Sequence, residues 1–315
     1  MDATNDVIAA TICNYSWRDC KNYAVSLAQS GFRGRKVMFV NNITTQAREA
    51  LRTLGFEIVD FEIDKDRAVV VQRFLLLHDW LENEPNVRFV IHCDVRDVVV
   101  QSNPSPWMEK QTAKIFAASE FILYKDESCN PRWVRRLYDE QTKQSLLREE
   151  VICAGTVAGE ADAVKRLALR IYESSTGLFG DDQAALNVLL RNEFKDEMRI
   201  PTADEGFIMT SGWWLIGSLV DNYDRPVGLR SKLCAKPPKF EDGVVYPNGS
   251  DVPYCIVHQY ERGPAWASTI SQHYKSDFEV EEDQPVAQQV WVRSGTGQYA
   301  SDGMTVDWFD THKRI

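Results

Sequence analysis

The chain has 315 residues, a formal net charge of −10, 44% hydrophobic and 26% charged residues, a profile that suits a globular protein with a substantial core. Its acidity speaks against nucleic acid or an anionic membrane surface as the main partner, because both reward clustered Lys and Arg. No apolar run approaches the ~18 residues of a transmembrane helix, and the seven cysteines are scattered with no Cys-x-x-Cys pair, which fits reduced thiols better than a disulfide framework. The acidic N-terminus is unlike a signal peptide. Asn248-Gly-Ser is accordingly expected to be a turn, and the protein cytoplasmic.

The first half alternates between short apolar runs and amphipathic segments. Strands are expected over 7–12, 36–40 and 56–61, with helices over 18–30 and 45–54 that stop at Gly31 and Gly55. A helix over about 66–82 carries Val70, Phe74, Leu77 and Leu81 on one face, and a strand then ends at Asp94. Strands alternating with helices predict βαβ units and a mostly parallel sheet. Further on come a strand over 114–124, an exposed helical stretch over 130–150, and a short strand of small residues from Glu150. A helix with Val164, Leu167 and Ile171 on one face follows, then one capped by Asp181 or Asp182. From about 195 the signals are strand-like and turn-rich, including Trp213-Trp214. Beyond 275 the chain reads as an acidic tail.

The most telling stretch is 90–102, where an apolar run breaks into Asp94-Val-Arg-Asp97. A buried strand whose carboxyl end opens into acidic residues marks the sheet edge where ligands bind. Carboxylates there would repel an anionic substrate unless a hard divalent cation such as Mg²⁺ or Mn²⁺ lay between them, as in metal–diphosphate sites. The plainer alternative is that Asp97 caps a turn and pairs with Arg96. At the same edge, the segment from Thr11 to Tyr15 offers a tyrosine that either stacks on a nucleobase or covers a helix start. No Gly-x-Gly-x-x-Gly follows the first strand and no Gly-Lys-[Ser/Thr] occurs, which disfavours a dinucleotide-binding Rossmann domain and a P-loop NTPase.

Four segments, in order, resemble glycosyltransferases of the GT-A fold, most closely the lineage of bacterial lipopolysaccharide galactosyltransferases and glycogenin. Asp94-Val-Arg-Asp97 is similar to the acidic metal motif, Cys153-Ala154-Gly155 to the Asn-Ala-Gly turn facing the sugar, Asp182-Gln183-Ala-Ala-Leu-Asn187 to the Asp-Gln-x-x-Leu-Asn helix start, and His258 to Trp266 to the C-terminal His-x-x-Gly…Trp segment. The resemblance implies a single α/β domain over 1–275, a mostly parallel sheet flanked by helices, with a nucleotide-binding half over 1–105 and an acceptor-binding half over 106–275. Residues 276–315 are then a peripheral tail.

It further implies a metal-dependent transferase moving a sugar from a nucleoside-diphosphate sugar, UDP-sugar favoured, to a glycan or other hydroxyl acceptor. Asp94, Asp97 and His258 would hold Mn²⁺ or Mg²⁺. Thr11, Tyr15, Arg73, Asp94, Arg96, Ala154, Gly155, Gln183 and Arg262 would surround the donor, with Gln183 toward its sugar hydroxyls. Asp182 would be the catalytic carboxylate, or else a helix cap. Trp213 and Trp214 would offer an acceptor platform, or else pack in a core. An inverting reaction would need a base, for which Asp181, Asp182 and Glu120 are candidates. His92 is expected behind Asp94, and His78 and His273 to be structural or solvated.

Three departures from the family pattern stand out. The acidic pair is spaced Asp-x-x-Asp instead of Asp-x-Asp, Cys153 replaces Asn, and the lysine before Pro-Trp is missing, with Arg262 as a nearby substitute. Two other functions remain: a sugar-nucleotide-binding scaffold with altered catalysis, and a sugar nucleotidyltransferase, which should carry a Gly-rich basic loop that is not found after the first strand.

Overall fold

The computed structural model describes residues 3–219, 238–278, 290–294 and 297–301. In chain order β1 (Val7–Cys13), α1 (Trp17–Gln29), β2 (Arg35–Asn41), α2 (Thr45–Thr53), β3 (Phe56–Asp60), α3 (Val69–Glu82) and β4 (Phe89–Cys93) follow the expected alternation. Helix α3 starts three residues later than the sequence suggests. Gln72 folds back to accept from the Asp64 N–H and donate to the Asp64 and Arg67 carbonyls, which holds 64–67 as a turn.

Next come β5 (Val98–Val100), α4 (Ser105–Met108), β6 (Ile115–Leu123), α5 (Asn130–Leu137), α6 (Glu140–Leu146), β7 (Glu150–Glu160), α7 (Ala161–Ser174) and α8 (Asp181–Arg191). Then follow β8 (Met198–Arg199), β9 (Ile208–Thr210), α9 (Gly212–Leu219), β10 (Lys239–Glu241), β11 (Val244–Tyr246), β12 (Ile256–His258) and a helix over Pro264–His273. Trp213-Trp214 therefore lies on a helix, where turn-rich strand was expected. The apolar run Gly212–Leu219 is helical between two packed clusters, and context overrides β-propensity.

The main sheet runs β3-β2-β1-β4-β7-β6-β8. Pairs β1–β2, β1–β4, β2–β3 and β6–β8 are parallel, whereas β7 is antiparallel to both β4 and β6. Alternate residues of β1 enter opposite cores. Ile8, Ala10 and Ile12 join α1 and α2, while Val7, Ala9 and Cys13 join α3, α7 and α8. Burial on both faces explains why these strands read as continuous apolar runs. A smaller sheet, β5-β12-β9, sits beside the first core, with β12 antiparallel to β5 and parallel to β9.

Of the expected tail, Val290–Ser294 and Gly297–Ser301 pair as an antiparallel hairpin, and most of the remainder lies outside the described residues. Cys234 also lies outside them; the described cysteines are free thiols. Among the described residues no helix is long and apolar enough to cross a membrane.

Candidate active site

The parallel strands β1, β2 and β4 end together, and the chain leaves β4 into a turn at 94–97 before reversing into β5. That turn resolves the unusual spacing, because it carries Asp97 back beside Asp94. The third partner, His258, lies 161 residues beyond Asp97 in the chain. Strand β12 pairs with β5 so that His258 stands opposite Val98, and the Gln259 N–H donates to the Asp97 carbonyl at 2.8 Å. His258 Nε2 consequently lies 3.4 Å from an oxygen of Asp94 and 3.4 Å from one of Asp97.

One ligand atom from each of the three residues falls within 4.8 Å of the others. Neither His258 Nε2 nor Asp97 Oδ1 completes a hydrogen bond. Two carboxylates and an imidazole whose Nε2 offers a lone pair once deprotonated form a donor set that fits a divalent cation. Burial disfavours charge on His258, but Asp97 and Asp94 outweigh it and raise its pKa well above the ordinary imidazole value.

Strand β7 passes directly behind. The Asp94 N–H donates to the Gly155 carbonyl at 2.8 Å, and a Cβ on Gly155 would lie 2.5 Å from Asp94 Oδ2 and 2.7 Å from His258 Nε2. Only a glycine lets the strand approach this closely. Arg73, 6% exposed, reaches the site from α3. Its guanidinium bonds Asp94 through one nitrogen, and through the other the Ala154 carbonyl at 3.0 Å and Asp182 at 3.1 Å. Against its burial, this cation holds the Asp94 carboxyl well below the usual carboxylate range. At Asp182 the balance reverses. Burial outweighs the shared arginine and pushes its pKa up to about 6.

Helix α8 delivers Asp182. Its N-cap is Gly180, at φ 84°, so neither Asp181 nor Asp182 caps it as expected; both sit in the first turn. Asp181 turns backward instead. Its carboxylate accepts from the Thr176 N–H and hydroxyl, the Leu178 N–H, and Arg136 at 2.5 Å. Fully buried and so engaged, it organises the loop before the helix.

Gln183 and Asn187, one turn apart, clasp the edge of β7. Gln183 accepts from the Ala154 N–H at 3.0 Å, while Asn187 accepts from the Ile152 N–H at 2.9 Å and donates to the Ile152 carbonyl at 2.7 Å. Gln183 Nε2 donates to Glu120 and to Asn130, so its amide, expected toward sugar hydroxyls, is engaged within the protein. Glu120, 5% exposed, also accepts from Trp213 Nε1 at 3.2 Å. Trp213 packs on the cluster around Tyr124, and Trp214 on the core around α1. The two rings therefore do not share one face.

Beside the turn at 94–97, Thr11, Tyr15, Val70, Arg73 and Asp94 line a small cleft. The Tyr15 ring is 3% exposed, and Arg96 lies over it at 5.1 Å. Arg262 stands in the turn after β12, where its charge acts on Glu120. His92, placed behind Asp94, is fully buried against Phe74 and held neutral, its pKa lowered to about 3 by desolvation and by Arg73. His78 bonds the Lys165 carbonyl, away from the site. Asn187 belongs to the Asp-Gln-x-x-Leu-Asn segment but was given no role by sequence reasoning, which did not find Asn130 or Gln259 at all; those two are polar side chains with no motif of their own, and only their burial marks them.

No family model and no curated protein matches the chain. Among solved structures, a crystal structure of the galactosyltransferase LgtC in complex with donor and acceptor sugar analogues is similar at 14% identity and a TM-score of 0.49. The match covers 88% of this chain and 98% of that one. At that identity the likeness is one of chain path alone.

Proposed function

We propose that the protein is a metal-dependent glycosyltransferase that uses a nucleoside-diphosphate sugar, with residues 1–105 serving the nucleotide and 106–275 the acceptor. The observation that carries this is the convergence of Asp94, Asp97 and His258 at the carboxyl edge of the parallel strands, with Gly155 clearing room behind them. Mn²⁺ or Mg²⁺ held by these three would neutralise a diphosphate and assist its departure as a Lewis acid.

The chain's own residues supply the rest. Arg73 fixes Asp94 and Asp182 relative to one another, since one guanidinium bonds both. Asp182, beside the donor sugar, offers negative charge to the oxocarbenium-like centre that forms as the glycosidic bond breaks. Arg96 and Arg262 add positive charge for the diphosphate, Thr11 and Tyr15 border the nucleoside, and Trp213 with Glu120 faces the acceptor. Gln183 acts through Ala154 and Glu120, holding the strand that carries Gly155.

A screen of nucleotide sugars for donor hydrolysis, with Mn²⁺ and with chelator, tests the proposal. Hydrolysis of one donor that disappears with chelator and in Asp94→Asn is expected. Absence of turnover together with calorimetric absence of UDP binding in Mn²⁺ would refute it.

A further inference from the structure

The nitrogen of His258 that faces away from the carboxylates is Nδ1, and its partner is the Cys153 sulfur at 3.5 Å. Both side chains are sealed from water, at 2% and 1% exposure, so protein groups alone decide where the imidazole proton sits. The same sulfur receives Gln259 Nε2 at 3.9 Å, and Glu120 lies behind Gln183, which holds the Ala154 N–H next to Cys153. Glu120 in turn accepts from Gln183 on one oxygen and from Trp213 on the other.

We propose that Cys153 is a positioning residue that accepts the Nδ1–H of His258 and so directs the Nε2 lone pair between Asp94 and Asp97. This rests on the metal site proposed above. A thiol has one hydrogen to donate and a weakly accepting sulfur. The sulfur already receives the Gln259 N–H, and at 3.5 Å it can receive the Nδ1–H of His258 in the same way. With a cation between the carboxylates, the opposite tautomer would leave Nε2 no lone pair to offer it and would face a bare Nδ1 toward the sulfur. Gly155 closes one side of the ring, so the Nδ1 contact sets its remaining freedom. Groups that orient a metal-bound histidine in this way typically account for about 10- to 100-fold in metal affinity.

The test uses the full chain with Mn²⁺ alone, titrated calorimetrically. Cys153→Ala should weaken Mn²⁺ binding about 10- to 100-fold. Cys153→Ser, whose hydroxyl can take the same N–H, should return affinity to within about threefold of wild type. In the Mg²⁺-loaded wild type, long-range ¹⁵N–¹H correlation should show His258 protonated at Nδ1. Equal affinity of wild type and Cys153→Ala, a serine variant as weak as alanine, or an Nε2-protonated ring in the wild type would each overturn the role of Cys153. Wild-type protein that binds no Mn²⁺ would overturn the metal site itself and this role with it.

Discussion

Replacing Gly155 with alanine places one methyl group where β7 passes the candidate ligands. On the observed backbone that carbon lies 2.5 Å from Asp94 Oδ2 and 2.7 Å from His258 Nε2, whereas optimal contacts between non-bonded carbon atoms are ~3.5–4.0 Å. Something must give by about 1 Å. The backbone is held, because the Gly155 carbonyl accepts from the Asp94 N–H and Thr156 is in register with Cys93. The imidazole and carboxylate must therefore move. A misplacement of about 1 Å in an organised site costs on the order of 10²-fold, which corresponds to about 2.7 kcal/mol, and overpacking a filled interior costs about 1–3 kcal/mol of stability. Gly155→Ala should thus bind Mn²⁺ about 100-fold more weakly by calorimetry and unfold earlier in urea without metal. Wild-type affinity with unchanged metal-free stability would show that β7 does not press on these side chains and would refute the reasoning.

Other changes separate the roles of neighbouring residues. Asp182→Asn should lower kcat far more than it changes KM, because it removes a charge that matters in the transition state. Its pH behaviour offers a second check. With a folded pKa raised to about 6 from 3.8, the folded state retains the Asp182 proton between those values, so wild-type stability should fall by up to about 3 kcal/mol as pH rises through that window. The asparagine variant should lack this component, and parallel urea-derived stability curves would contradict it. His258→Ala should weaken Mn²⁺-dependent UDP binding by about 1–3 kcal/mol. Because its neighbours favour protonated His258 before metal binds, wild-type Mn²⁺ affinity should drop as pH falls, and calorimetry across pH should find that slope reduced in the variant. Asp181→Ala should destabilise the fold by about 3 kcal/mol, having lost a buried carboxylate with four donors. Mn²⁺ affinity of the folded variant should be unaltered; a loss would place Asp181 in the site.

Much of the N-terminal half was legible because its periodicities are strong and its punctuation is plain. Gly31 and Gly55 close helices, and the apolar run into Asp94 marks the sheet edge. Local pattern alone did not give the long-range juxtapositions. Nothing near Asp97 announces that a three-residue strand ending at His258 will lie beside it, and only the family resemblance grouped His258 with the two carboxylates. The Asp-x-x-Asp spacing looked like a defect until the turn over 94–97 brought both carboxylates to one point. Local sequence alone does not tell Asp181 from Asp182, which only the resemblance separated, yet one faces the preceding loop and the other Arg73. Trp213-Trp214 misled for a different reason: a short apolar run between glycines has no decisive period.

The β5-β12-β9 sheet has a thermodynamic consequence. The candidate cation site is complete only while β12 lies between its neighbours, since it alone contributes the imidazole. Anything that binds the closed arrangement and not the open one adds RT ln(1 + [L]/Kd) to its free energy, about 2.7 kcal/mol when ligand exceeds Kd a hundredfold. Occupancy of the site and attachment of the segment around β12 are therefore one linked equilibrium. With the proposed cation bound, its concentration would act as a clasp on that segment, and any local opening that released β12 would release the ion with it.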